Sequence, residues 1–153
     1  MRKRIVVAAA FAGLAIPAAA PAATPIDAAK ADVTKLQSDI AARQATIVAD
    51  LQKLTADARS AKSLSKDAAR ALVRSDLAAL RADRDAARTT IKADRAQLKT
   101  DLAAAKQVEG AKAQLQPALK SLRQSIRQAR QALRAEVRQA RQALRELRAS
   151  FRK

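Results

Sequence analysis

The chain of 153 residues lacks cysteine, histidine, tyrosine and tryptophan, and it contains only two glycines. Without cysteine it forms no disulfide, no thiolate metal site and no lipid-modified cysteine. It also has no glycine-rich phosphate loop and no nucleophile–base motif of a known kind. Asp83 and Asp85 are neighbouring carboxylates, but residues two apart on a helix point in different directions. The sequence therefore predicts a protein that is not an enzyme and that has no catalytic residue, no cofactor-binding residue and no metal ligand.

The first 22 residues have the three parts of a secretory signal peptide. They are the basic start MRKR, the apolar run IVVAAAFAGLAIPAAA and the small residues Ala20–Ala22. The apolar run is too short to span a bilayer comfortably. We predict a signal peptide over residues 1–22, cleavage near Ala22, and export to the periplasm or the extracellular space. The mature chain is predicted to have no transmembrane span; an uncleaved N-terminal anchor is the alternative.

Beyond residue 22 the commonest residues are Ala, Leu, Arg, Lys, Gln and Asp, and all except Asp are good helix formers. The sequence therefore predicts an all-α protein. When the sequence is shifted by 44 positions against itself, four aspartates fall on four others. This predicts a duplicated 44-residue helical unit, which forms two helices over residues 23–111. Chance coincidence is the alternative. The matched pairs are Asp32 with Asp76, Asp39 with Asp83, Asp50 with Asp94, and Asp57 with Asp101.

Two breaks are predicted in the helical pattern. Gly110 is a helix-stop residue, and Pro117 is tolerated in a first turn, so a boundary is expected between them. Ser63 and Ser65 are weaker signals, since serine caps a helix without ending one by itself. We predict helices near 27–62, 66–108 and 112–151 in a coiled-coil-like bundle of three antiparallel helices. The alternative is one long helix hairpinned onto a shorter one.

The segment 112–153 is predicted to be an arginine-rich helix with cations on one flank. The motif RQARQALR occurs twice in it, at Arg127–Arg134 and Arg138–Arg145. At about 100° per residue, ten cations share one flank of this helix beside an apolar seam. The cations are Lys120, Arg123, Arg127, Arg130, Arg134, Arg138, Arg141, Arg145, Arg148 and Arg152. The seam consists of Leu115, Leu119, Leu122, Ile126, Leu133, Val137, Leu144, Leu147 and Phe151.

Neighbouring cations of this arginine stripe are three or four residues apart, and such pairs repel by about 0.2 to 0.5 kcal/mol each. Aspartates flanking the seams of the first two helices could relieve this repulsion inside the bundle. Internal relief cannot be complete, because residues 112–153 carry a net charge of +10 and residues 23–111 themselves carry +4. The stripe is therefore a predicted polyanion-binding site.

Several classes of partner fit an exported cationic helix. Nonspecific nucleic acid fits the charge but is not favoured, because Phe151 is the single aromatic side chain beyond the predicted signal peptide that could stack on bases. The narrow, alanine-diluted seams argue against membrane insertion, although an anionic envelope surface can still meet the stripe. We predict a non-enzymatic binder of an anionic polymer, surface or partner, with self-association into a homo-oligomer as a further possibility. The alternative is a structural spacer or periplasmic holdase-type chaperone with its charges paired internally.

Overall fold

The computed structural model describes residues 24–152, which form three α-helices. They are α1 (Pro25–Ser60), α2 (Lys66–Ala105) and α3 (Ala111–Ser150). The prediction of an all-α protein with three helices is confirmed for these residues. The predicted signal peptide lies outside the described residues. Within residues 24–152, none of the helices has a stretch that is apolar over a length sufficient to cross a membrane.

Local capping explains where α1 and α2 begin. Thr24 caps α1 by accepting a hydrogen bond from the Asp27 amide at 3.2 Å, and proline occupies the first position of the helix. After Ser60 the chain tightens into a 3-10 turn, and Leu64 is extended. The Ser65 hydroxyl then accepts from the Ala68 amide at 3.3 Å and starts α2. The predicted break at Ser63–Ser65 is confirmed, and the alternative of one unbroken helix is wrong.

The second connection contains the one glycine of the described residues. The helix α2 ends at Ala105, three residues earlier than predicted, and Gly110 adopts a positive φ of 74° immediately before α3. The predicted boundary next to Gly110 is confirmed. Pro117 lies seven positions into α3, beyond its first turn. It removes a helical hydrogen bond to the Ala113 carbonyl. Because Ala113 and Pro117 are both exposed, water can satisfy that carbonyl.

The helix α1 is the centre of the bundle, since α2 and α3 each pack mainly against it rather than against each other. Hydrogen bonds from α1 to α3 join residues 84 apart at three levels, including Gln37 to Ser121 and Lys62 to Glu146, so these helices are parallel. Lysines of α1 pair with Asp94 and Asp76 of α2 in the reverse order, so α2 is antiparallel to both. The largest fully buried side chains are Val33, Leu36 and Leu54, all on α1.

The apolar seam of α3 is rotated relative to the prediction. Ala129, Ala140 and Ala143 are buried, because their small side chains allow α3 to approach α1 closely. Leu115, Leu122 and Leu147 are buried as predicted. The other seam residues are only half-buried and lie at the margin of the core, which corrects the prediction of a fully buried seam. They are Leu119, Ile126, Leu133, Val137, Leu144 and Phe151.

Candidate anion-binding groove

The arginine stripe of α3 lies on the surface of the bundle. All ten of its members are exposed, and within residues 24–152 none of them takes part in an ion pair. The two acids of α3 lie on the other flank, which faces α1. There Glu136 accepts a hydrogen bond from Gln52 at 3.3 Å, and Glu146 accepts one from Lys62 at 3.0 Å. The Lys62 hydrogen bond holds the pKa of Glu146 below its usual value.

A second row of cations, the α2 row, lies on α2. Its members recur three, four or seven residues apart and are all exposed. Arg70 and Arg88 have acidic neighbours on their own helix, at 3.6 and 3.8 Å, and the remaining eight have no ion pair within the described residues. The row consists of Lys66, Arg70, Arg74, Arg81, Arg84, Arg88, Lys92, Arg95, Lys99 and Lys106.

Three cavities lie in series between the two cationic rows, and together they are called the α2–α3 groove. At one end of the bundle it is lined by Val73 and Leu77 of α2 and by Leu144 and Phe151 of α3, with Arg74 beside them. In the middle its lining comes from Ile47, Ile91, Ile126 and Leu133, together with Arg95 and Arg130. At the far end it is lined by Leu102, Leu115, Leu119, Lys106 and Arg123. The groove thus has a largely apolar floor between two rows of cations, with Arg43 and Gln44 of α1 also lining its middle part.

The eight aspartates matched by the 44-residue shift lie away from this groove, along the contact between α1 and α2. Lys35 is hydrogen-bonded to Asp39 at 2.9 Å and also to Asp94 across the contact. Lys53 binds Asp57 at 2.6 Å and also Asp76. The lysine hydrogen bonds lower the pKa values of Asp39 and Asp57. These carboxylates are therefore engaged by α1 lysines, and the stripe obtains no ion pair from them.

Two further aspartates on the same contact have no lysine between them and their partners. Burial raises the pKa of Asp32, and the neighbouring carboxylate of Asp101 with its like charge adds to the rise. Burial and the neighbouring Asp83 raise the pKa of Asp50 in the same way. These carboxylate pairs lie on α1 and α2 and have no contact with α3 that would neutralise its cations.

The periodicity of the sequence predicts the stripe but not the groove. A usable signal existed: α2 and α3 carry their cations on the same side of the apolar seam, and they run antiparallel. Two antiparallel helices that pack on a common third helix turn the same side of their seams toward each other.

Residues 24–152 contain no group of three or more carboxylates placed to hold a metal ion. Comparison of the chain with protein-family models, with curated proteins and with solved structures finds no match.

Proposed function

We propose that this protein is an exported, non-enzymatic binder of an anionic polymer, surface or partner, and that the arginine stripe of α3 is its binding site. The observation that carries the proposal is that ten exposed cations follow one flank of a single helix without an ion pair in residues 24–152. Arginine suits carboxylate, sulfate and phosphate groups, because its planar guanidinium can form two parallel hydrogen bonds with them.

Two observations favour this function over that of a holdase-type chaperone or a spacer. The most exposed large apolar side chains within residues 24–152 are Leu64 at 42% and Val108 at 39%, which lie in the two connections and form no patch together. The acids of α1 and α2 that could have neutralised the stripe are engaged along the α1–α2 contact instead. A ligand that supplies negative charge is therefore the simplest way to reduce the repulsion between neighbouring cations of the stripe.

The test is the salt dependence of heparin binding by residues 23–153. A variant changes five arginines of the stripe to glutamine: Arg127, Arg130, Arg134, Arg138 and Arg141. Because each neutralised charge releases counterions, the wild-type affinity should fall steeply with salt and the variant should show a distinctly flatter slope. We expect the variant to bind at least tenfold more weakly at low salt.

A matched control separates the position of the charge from its amount. It combines the five arginine-to-glutamine changes with glutamine-to-arginine changes on the outward face of α3, so that composition and net charge equal those of the wild type. The relocated arginines are at Gln124, Gln128, Gln131, Gln139 and Gln142. If this control binds heparin as tightly as the wild type does, net charge alone explains the binding and the stripe is not the site.

A further inference from the structure

We propose that the α2–α3 groove binds an acidic amphipathic helix of a partner protein, which lies between α2 and α3 as a fourth helix of the bundle. This inference rests on the proposed function, because the stripe of α3 forms one wall of the groove. It adds a second wall, the α2 row, and an apolar floor. It also names the partner by its chemistry: a helix with one apolar face and carboxylates on both edges of that face.

The floor of the groove is an incomplete core. Ile47 of α1, Ile91 of α2 and Ile126 of α3 meet there and are each only half-buried, although they are packed against buried residues. The same holds for Val73 and Val137 farther along the groove. In four-helix bundles such positions are covered by another helix. Covering this floor would remove the remaining apolar surface of these side chains from water, which favours binding.

The walls determine the charge of the occupant. The α2 row and the stripe each carry ten exposed cations, and the acids near the walls in the described residues, Asp67 and Asp85, pair only with residues of α2 itself. A helix in the groove therefore needs carboxylates on both flanks. A second copy of this chain fits poorly, because its corresponding face would bring arginine against arginine.

The shape of the groove favours a helix over a bilayer. The apolar floor is recessed between two helices, and its side chains are half-buried rather than protruding, so a flat surface would meet the arginines and not the floor. From Leu115 to Phe151 the wall on α3 runs for about 54 Å at 1.5 Å per residue. A helix can therefore lie along the groove over several turns, with apolar anchors at three- and four-residue spacing.

The probe is a synthetic 28-residue peptide with leucine and alanine on one face and glutamate on both flanks. Its control has the same composition in an order that gives the helix no apolar face. Binding to residues 23–153 is measured at 150 mM salt by calorimetry and circular dichroism. We expect one-to-one binding with a gain of helix, and at least tenfold weaker binding of the control peptide. Equal affinities of the helical peptide and the control peptide would contradict binding of a helix in the groove and leave the proposed function intact.

Two variants assign the binding to the floor. The double change Ile91→Gln and Val137→Gln should weaken the helical peptide at least tenfold while heparin binding stays unchanged. Leu64→Gln, which removes an exposed apolar side chain in the first connection, should leave both unchanged. If the double variant binds the helical peptide like the wild type, the floor does not bind it and the inference fails. Failure of the wild type to bind heparin would instead refute the proposed function.

A second readout does not depend on the stability of the floor variants. Because the chain has no cysteine, a single fluorophore can be attached through Arg95→Cys in the groove or through Ala45→Cys on the exposed far side of α1. The helical peptide should change the emission of the groove label at least twofold and leave the α1 label unchanged. The same response from both labels, or none from the groove label, would place the peptide elsewhere and overturn the inference.

Discussion

At the scale of single residues, the α1–α2 contact contains four carboxylate pairs, of which two hold a lysine. Lys35 lies between Asp39 and Asp94, and Lys53 lies between Asp57 and Asp76. Adding 44 to each lysine number leads to Ala79 and Gln97, which stand beside the other two pairs. There burial and a like charge raise the pKa values of Asp32 and Asp50. The two raised values thus coincide with the two positions where the lysine is missing.

The change Gln97→Lys should therefore stabilise the protein at neutral pH. The new ammonium can reach both Asp101, whose carboxylate Gln97 already contacts at 3.2 Å, and Asp32. We expect a gain of about 1 kcal/mol in the free energy of unfolding, the upper range for a partly exposed ion pair. Urea unfolding at pH 7 measures it. Ala96→Lys adds the same charge at an exposed neighbouring position, and an equal gain from that control would contradict the pairing.

The pH dependence of this gain follows from the sign of the shifts. A carboxyl whose pKa is raised in the folded state stabilises the protein below the unfolded value of 3.8, and this stability is lost as the pH rises through the raised pKa. In the wild type, ionisation of Asp32 at neutral pH therefore lowers the free energy of unfolding, and the new lysine of Gln97→Lys offsets this loss. At pH 3 Asp32 of the wild type is protonated, because its pKa is raised above 3.8, and the difference in unfolding free energy between wild type and variant should be smaller than at pH 7.

At the scale of the helix, the sequence predicted where the helices begin and end better than it predicted the buried face of α3. Ser65 and Gly110 act through local capping and φ, so the helices begin and end within three residues of the predicted positions. The seam of α3 depends on how closely α1 approaches, and that distance is set by the alanines at 129, 140 and 143. Periodicity ranks alanine low as a core residue, so the predicted seam was rotated away from them.

Gly110 gives a test of the second connection. Its φ of 74° is unfavourable for residues with a Cβ, and a Cβ there would meet no atom within 4 Å. The change Gly110→Ala should therefore destabilise the protein by about 1 kcal/mol through the backbone alone. Gly110→Asn should cost less, because asparagine tolerates the left-handed region. Thermal unfolding measures both, and equal losses would show that the backbone conformation is not the cause.

At the scale of the whole molecule, the candidate site forms only when the three helices pack together. A helical period of 3.6 residues predicts the stripe on α3, and the same period accounts for the α2 row. Which flanks meet across an opening depends on α1 being central and on α2 being antiparallel to α3, and neither follows from periodicity. The apolar floor shows the same limit, because Ile47, Ile91 and Ile126 come from three different helices. The rows could thus be predicted from the sequence, whereas the groove between them could not.

The same assembly predicts how salt affects stability. Two rows of ten cations border one groove, and neighbours three or four apart repel by about 0.2 to 0.5 kcal/mol per pair, so the folded state carries a few kcal/mol of repulsion at low salt. Screening shortens the reach of these charges to about 10 Å at 0.1 M salt. The Tm should therefore rise between 10 and 500 mM sodium chloride, at about 3 to 5 °C per kcal/mol of relief.

The variant with five glutamines in the stripe should begin with a higher Tm at 10 mM salt and rise by less. The lysine–aspartate pairs of the α1–α2 contact act in the opposite direction, since salt weakens them, but they are few beside the two cationic rows. A Tm that falls with salt would mean that these pairs outweigh the repulsion. The rows would then be no source of the free energy that an anionic ligand recovers on binding.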